Sequence, residues 1–186
     1  MAEIITKKGK KRWFSILASK EFNNIPIGET TAYDANSLIG RTVHTNLMDL
    51  IGDPKKQNFI VKFKINSING DKGVSEIVGY SVSSSFLRRA VKKEKTRIDD
   101  SFLITTKDGV KVKVKPFIIT KTKVNNSIST ALRKKGQEFL SKCASGSDYS
   151  IFVMDLLNGK TPKDLRTVLN KIVPLNTLYI RMFERE

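Results

Sequence analysis

Cysteine occurs once in the 186 residues, at Cys143, and histidine once, at His44. A single thiol excludes an internal disulfide and any cysteine-rich zinc site. A single imidazole excludes paired-histidine metal motifs and leaves little general-base chemistry near neutral pH. No apolar run approaches the roughly 20 residues of a membrane span. Acids are scarce as well: 18 Asp and Glu stand against 34 Lys and Arg, a formal net charge of +16. Like charge at that density opposes compactness unless an anion neutralises it. The expected partner is therefore a polyanion, nucleic acid first. The lone thiol suits a reducing compartment, and the basic opening, 1–12, runs into a mixed stretch with no apolar signal block. A soluble cytoplasmic protein with no membrane partner is expected.

The cations are clustered. Residues 84–126 hold twelve Lys and Arg against four acids, a net +8, which is half the total charge. Residues 1–20 add Lys7, Lys8, Lys10, Lys11, Arg12 and Lys20 against Glu3 alone. From residue 127 onward the balance is milder, at +4, and that part reads as scaffold.

Hydrophobic periodicity outlines the elements. Strands are predicted over 11–17, 29–33 and 41–47. Two more, 58–68 and 74–82, flank Asn69-Gly70-Asp71-Lys72-Gly73, a hairpin signal. Another pair, 101–106 and 110–120, flanks Lys107-Asp108-Gly109, where Asp-Gly suits a positive-φ turn. Helices are predicted over 84–95 and 127–143, the second weakened by Gly136. A third starts at Thr161-Pro162-Lys163-Asp164, with Thr161 as N-cap, and carries Leu165, Val168, Leu169, Ile172 and Val173 on one stripe before Pro174. A last strand spans 177–183. There is no internal repeat and no clear linker, so one α+β domain over 1–186 is expected, with a basic N-terminal arm at about 1–12.

Three basic constellations stand out. In Val110-Lys111-Val112-Lys113-Val114-Lys115, period-2 alternation sets Lys111, Lys113 and Lys115 on one face, about 6.7 Å apart, with valines on the other. That spacing is comparable to the phosphate repeat of a nucleic-acid strand, although a solvated strand face would look the same. Lys62 and Lys64 repeat the pattern weakly. Arg88, Arg89, Lys92 and Lys93 share a predicted helix face, where like charges at i, i+4 repel and a polyanion would relieve them. Lys121 and Lys123 end the hairpin that follows. In the third constellation the arm leads into Trp13, which either stacks on a base or anchors the first strand in the core; the core is the preferred reading.

Catalysis finds no support. His44 on a strand and Cys143 at a helix end read as structural residues, and Asp99-Asp100 are adjacent carboxylates that diverge. No third acid stands at metal-ligand spacing, and no phosphate-binding loop, nucleophile elbow or dinucleotide fingerprint is present. Neither an enzyme activity nor a cofactor or metal is expected.

Several segments, in order, resemble one family. They are the opening KKRWFSILA with Phe22 and Ile27-Gly28-Glu29-Thr30; Gly40-Arg41 with Leu47-Met48-Asp49-Leu50; Phe86-Leu87-Arg88-Arg89; Thr106-Lys107-Asp108-Gly109; the stretch 120–133; and Ile172-Val173-Pro174-Leu175 with Tyr179-Ile180-Arg181. This run is similar to the archaeal and eukaryotic small-subunit ribosomal protein family called S-three-a-e, or S-one-e, and the length is archaeal-like. The resemblance implies a mainly antiparallel, β-barrel-like core with flanking and C-terminal helices. It implies a structural constituent of the ribosome that binds small-subunit rRNA on the platform, near the mRNA exit, beside neighbouring ribosomal proteins. Lys and Arg would neutralise crowded phosphates, with counterion release driving binding. A free-standing nucleic-acid-binding regulator is the alternative.

Overall fold

The computed structural model describes residues 10–186. Nine strands and five α-helices lie among them, so the α+β expectation holds. The strands are not closed into a true barrel, and one pairing, β1 with β5, is parallel. The chain divides into two compact units, one made of residues up to Gln57 with Val61–Val78, the other of Asn58–Ile60 with Gly79–Glu186.

In the first unit, β1 (Arg12–Leu17) pairs antiparallel with β2 (Pro26–Ala32). On its other edge β1 runs parallel to the first half of β5 (Lys72–Val82). β3 (Thr42–Asn46) pairs with β4 (Phe59–Asn69). Alternation along β1 sends Phe14 and Ile16 inward, where they meet Ala32, Leu38 and Ile65 in one apolar cluster. Trp13 points the other way and is 67 % exposed, so the core reading of this residue is overturned. The predicted hairpin joins β4 to β5 through Gly70 and Asp71, with Gly70 at φ +62. The strand predicted over 41–47 stops one residue early. Asn46 there accepts a hydrogen bond from the Met48 amide and caps a short helix, α1 (Leu47–Ile51).

The second unit is built on β8 (Lys111–Thr120) and β9 (Leu175–Arg185), antiparallel along nearly their whole length. β6 (Arg97–Asp99) and β7 (Phe102–Thr105) pair with β8, and the second half of β5 pairs with β9. Gly109, at φ +75, makes the predicted turn between β7 and β8. The Asp108 carboxylate of that turn accepts from the Tyr149 amide and so caps α4 (Tyr149–Asn158). α3 (Asn126–Ser145) buries Leu132, Gly136, Leu140 and Ala144 at successive turns. It packs on β7 and on α5 (Lys160–Asn170), and α5 packs on β9.

Two helix predictions need correction. α5 is capped by Gly159 and not by Thr161: Gly159, at φ +81, ends α4 and opens α5 at once, and Thr161 is buried inside the first turn. Pro162 still fits, because first-turn amides need no helical partner. α2 (Ser84–Ala90) stops five residues before the predicted end. Lys92 and Lys93 therefore do not continue the face of Arg88 and Arg89. The physical reason lies just beyond, where Thr96 exchanges hydrogen bonds with Thr120 and delivers the chain into β6. The like charges would also have repelled one another on a longer helix.

Two buried glycines have opposite consequences. A Cβ at Gly79 would lie 2.5 Å from the Phe183 carbonyl oxygen on β9, a backbone atom held on its other side by β8. A Cβ at Gly136 in α3 would meet nothing within 4 Å. Gly79→Ala is expected to destabilise the chain by about 1–3 kcal/mol. Gly136→Ala should stabilise it by about 0.5–1 kcal/mol, and urea unfolding of both variants checks the opposite signs.

Tyr80, fully buried on β5, donates its hydroxyl to the Ile180 carbonyl. Ile180 stands in register with Pro116, which has no N–H to give. Burial pushes the Tyr80 phenol above its ordinary value of 10.0. The folded state thus retains a proton that the unfolded state releases, and this contribution is full below about pH 10 and falls as pH rises beyond it. Tyr80→Phe should lower stability by about 1–3 kcal/mol at pH 8. It should also lose less stability than wild type between pH 8 and pH 11; equal losses in urea unfolding would refute the assignment.

Candidate nucleic-acid interface

The twelve cations of residues 84–126 lie in the second unit, and ten of them make no ion pair among the described residues. The exceptions are Arg97, paired with Asp99, and Lys107, 4.0 Å from Asp148. β8 carries the expected alternation. Val112 and Val114 are fully buried, Lys111 is exposed, and Lys113 and Lys115 are half-buried. Lys113 sits opposite Leu103 on β7 and Glu184 on β9, so the middle of the ladder has an acid as its cross-strand neighbour. Alternation then ends. From Pro116 to Thr120 every residue is buried, because the strand passes between β6 and β9 under cover on both faces. Lys121 and Lys123 emerge exposed directly after it, with the Lys121 amide bonded to the Pro174 carbonyl.

Arg88 and Arg89 are exposed on α2, and Arg89 lies 6.0 Å over the Phe86 ring. Phe86 in turn meets Tyr179 of β9 edge-on at 5.3 Å. Tyr179 contacts Phe59, and Phe59 stacks on Tyr80, so a chain of rings ties α2 to the sheet. Between α2 and the strands lies a cleft of about 510 Å³. Leu87, Arg88 and Val91 line it from α2 and the residue that follows, and Arg97, Phe117 and Arg181 line it from β6, β8 and β9. The basic helix and the basic segment that follows it are thus neighbours across this cleft. Arg97 is fixed twice, by its hydrogen bond of 2.6 Å to Asp99 and by its position 5.5 Å over the Phe117 ring. Neither Arg88 nor Arg181 has a side-chain partner among the described residues.

Sequence reasoning singled out neither Arg97 nor Arg181 as a site residue. The one signal for Arg181 was a cation inside an otherwise apolar strand, Tyr179-Ile180-Arg181-Met182-Phe183. Its placement comes from a bulge: the register passes from Lys115↔Met182 to Pro116↔Ile180, leaving Arg181 with no opposite number.

In the first unit, Lys10, Lys11 and Arg12 are exposed beside Trp13, with Lys11 Nζ 5.4 Å over the Tyr33 ring. Lys7 and Lys8 lie outside the described residues. An exposed indole flanked by three cations is a geometry suited to stacking on a base while holding its phosphate.

Asp99 turns to Arg97 while the Asp100 carboxylate accepts from the Ser101 amide, so the adjacent acids do diverge. Burial, with the Asp164 and Asp155 carboxylates nearby, pushes the Cys143 thiol up and away from thiolate character. Among the described residues, no group of three or more His, Cys, Asp or Glu is placed to hold a metal ion. No helix among them is long and apolar enough to cross a membrane.

Comparison with known proteins bears on this surface. The sequence model of the Ribosomal S3Ae family matches residues 3–185. The small ribosomal subunit protein eS1 of Saccharolobus islandicus is 36 % identical over 165 residues, covering 89 % of this chain and 79 % of that protein. Its counterpart from Saccharolobus solfataricus is 35 % identical over the same length. The protein of that name from Methanothrix thermoacetophila is 32 % identical over 174 residues, covering 94 % of this chain and 82 % of its own length. The family is one of ribosomal structural proteins and not of enzymes. By the extent of that match, nearly end to end, the chain belongs to the Ribosomal S3Ae family.

Proposed function

We propose that this chain is a structural constituent of the small ribosomal subunit, held there by small-subunit rRNA and by neighbouring ribosomal proteins. The observation that carries the reading is the set of cations between residues 84 and 126, ten of the twelve without an ion pair among the described residues, all on one unit. Family membership supplies the RNA. The platform near the mRNA exit, with mRNA close by, is the place the family resemblance implies. Lys111, Lys113, Lys115, Lys121, Lys123, Arg88, Arg89, Lys92 and Lys93 would meet phosphates in this unit. Lys10, Lys11, Arg12 and Trp13 would do so in the other, joined by Lys7 and Lys8. Binding of this kind is driven by counterion release and reads backbone shape more than base edges.

Sucrose-gradient fractionation of native lysate tests the reading. The chain should co-migrate stoichiometrically with small subunits at low salt and remain with them at moderate salt. Retention at the top of the gradient would overturn it in favour of a free-standing nucleic-acid-binding regulator. With purified chain and small-subunit rRNA, changing Lys111, Lys113 and Lys115 together to Ser should weaken binding. It should also flatten the dependence of log affinity on log salt by roughly 2–3 units. An unchanged slope would remove the ladder from the interface.

A further inference from the structure

We infer that the cleft between α2 and the strands of the second unit receives a single unpaired RNA nucleotide, with its phosphate on Arg88 and Arg181. The inference rests on the RNA-binding reading and adds a mode of recognition that backbone neutralisation does not require.

Four features of the cleft point to a nucleotide. Its volume of about 510 Å³ falls within the range of sites that enclose a small molecule, and is more than one phosphate needs. Its lining divides by chemistry. Val91 offers exposed apolar surface, backed by the nearly covered Leu87 and Phe117, while Arg88, Arg97 and Arg181 offer planar cations, Arg97 lying over the Phe117 ring. A nucleotide has the same division, an apolar-faced base joined to an anion.

The third feature is the contrast among the arginines. Arg97 is already paired with Asp99 and laid over Phe117, which leaves it a rigid part of the wall. Arg88, from α2, and Arg181, from β9, both line the cleft and have no partner among the described residues, so two forked guanidinium groups are available to an anion there. Among the described residues lining the cleft there is no acid to compete for them.

The fourth is the bulge. An extra residue in the central pairing of β8 with β9 weakens the ladder locally, and the residue it releases is Arg181. A cation set this way, beside an apolar floor, is placed for a ligand and has no evident part in holding the sheet. Duplex RNA cannot enter such a cleft, because its bases are stacked and paired, whereas a bulged or looped nucleotide can be splayed into it.

The test compares two labelled RNA hairpins that differ only by one bulged nucleotide, titrated with the full chain by fluorescence anisotropy at fixed salt. Wild type should bind the bulged hairpin tighter by roughly five- to a hundredfold, the range that stacking one base supplies. Changing Arg88 and Arg181 together to Gln should erase that preference. Val91→Trp, at an exposed position on the rim, fills the cleft without altering charge and should erase it too while sparing duplex affinity. Lys123→Gln, outside the cleft, should weaken both RNAs equally and leave the preference intact. Adenosine monophosphate at millimolar concentration should compete only weakly if the chain recognises a nucleotide within RNA. Strong competition would identify a free-nucleotide site and overturn the inference. Binding of both hairpins with no preference in wild type, or a preference that survives both cleft variants, would also overturn it while the RNA-binding reading stood. Failure to bind either hairpin would overturn both. Thermal unfolding of each variant confirms that the comparison is made on folded protein.

Discussion

The antiparallel pairing of β8 with β9 is the constraint on which the second unit depends. It joins two segments far apart in sequence, supports β6 and β7 on one side and the end of β5 on the other, and carries α5 on its surface. Its close approach to β5 admits only a glycine at position 79. Its one proline, Pro116, withholds an N–H at the point where the Tyr80 hydroxyl meets the Ile180 carbonyl. At that same point the register slips and Arg181 is set free of the ladder. This irregularity, one of two register shifts in the pairing, thus joins a buried hydrogen bond to the arrangement of a cationic cleft.

Charge imposes the second constraint. A net +16 cannot be buried, and the chain separates it from the core residue by residue. On β8 the separation is by alternation, lysine outward and valine inward. On α2 it is by face, with Leu87 buried and Arg88 and Arg89 in solvent. Among the described residues no ion pair holds Lys111, Lys115, Arg88 or Arg89, and Lys113 alone of these has an acid, Glu184, opposite it in the sheet, so much of the repulsion persists in the free protein and is relieved by an anion. The stability of the free chain is correspondingly carried by its apolar clusters and aromatic contacts. Exposed or half-exposed ion pairs such as Arg97–Asp99 and Lys135–Glu138 add little.

Legibility differed from element to element for physical reasons. The hairpin at Gly70-Asp71 and the turn at Gly109 were visible because positive φ demands particular residues. α3 and α5 were visible from helical periodicity, although Gly159 displaced the start of the latter. α4 was not, since Tyr149–Asn158 is a short and nearly continuous apolar run without a clear polar face. β6, three residues long, has no pattern to detect and exists because β8 offers it an edge. α2 was read too long because nothing local marks residue 91 as its end. Trp13 was read inward on hydrophobicity alone, when the parity set by Phe14 and Ile16 points it outward.

What the sequence by itself determined is the local chemistry: the excess of cations, their concentration between residues 84 and 126, the alternation that sorts Lys111, Lys113 and Lys115 from the valines, and the succession of motifs that marks the family. Each of these depends on composition or on spacing within one element. What only the tertiary structure decided is the convergence of Arg88, Arg97 and Arg181 on one cleft floored by Phe117. Those residues come from a helix and two strands, and the register shift that frees Arg181 exists only once β9 has found β8. Pairing between distant segments obeys packing and hydrogen bonding across the sheet, and no local pattern in the chain encodes where a ladder slips.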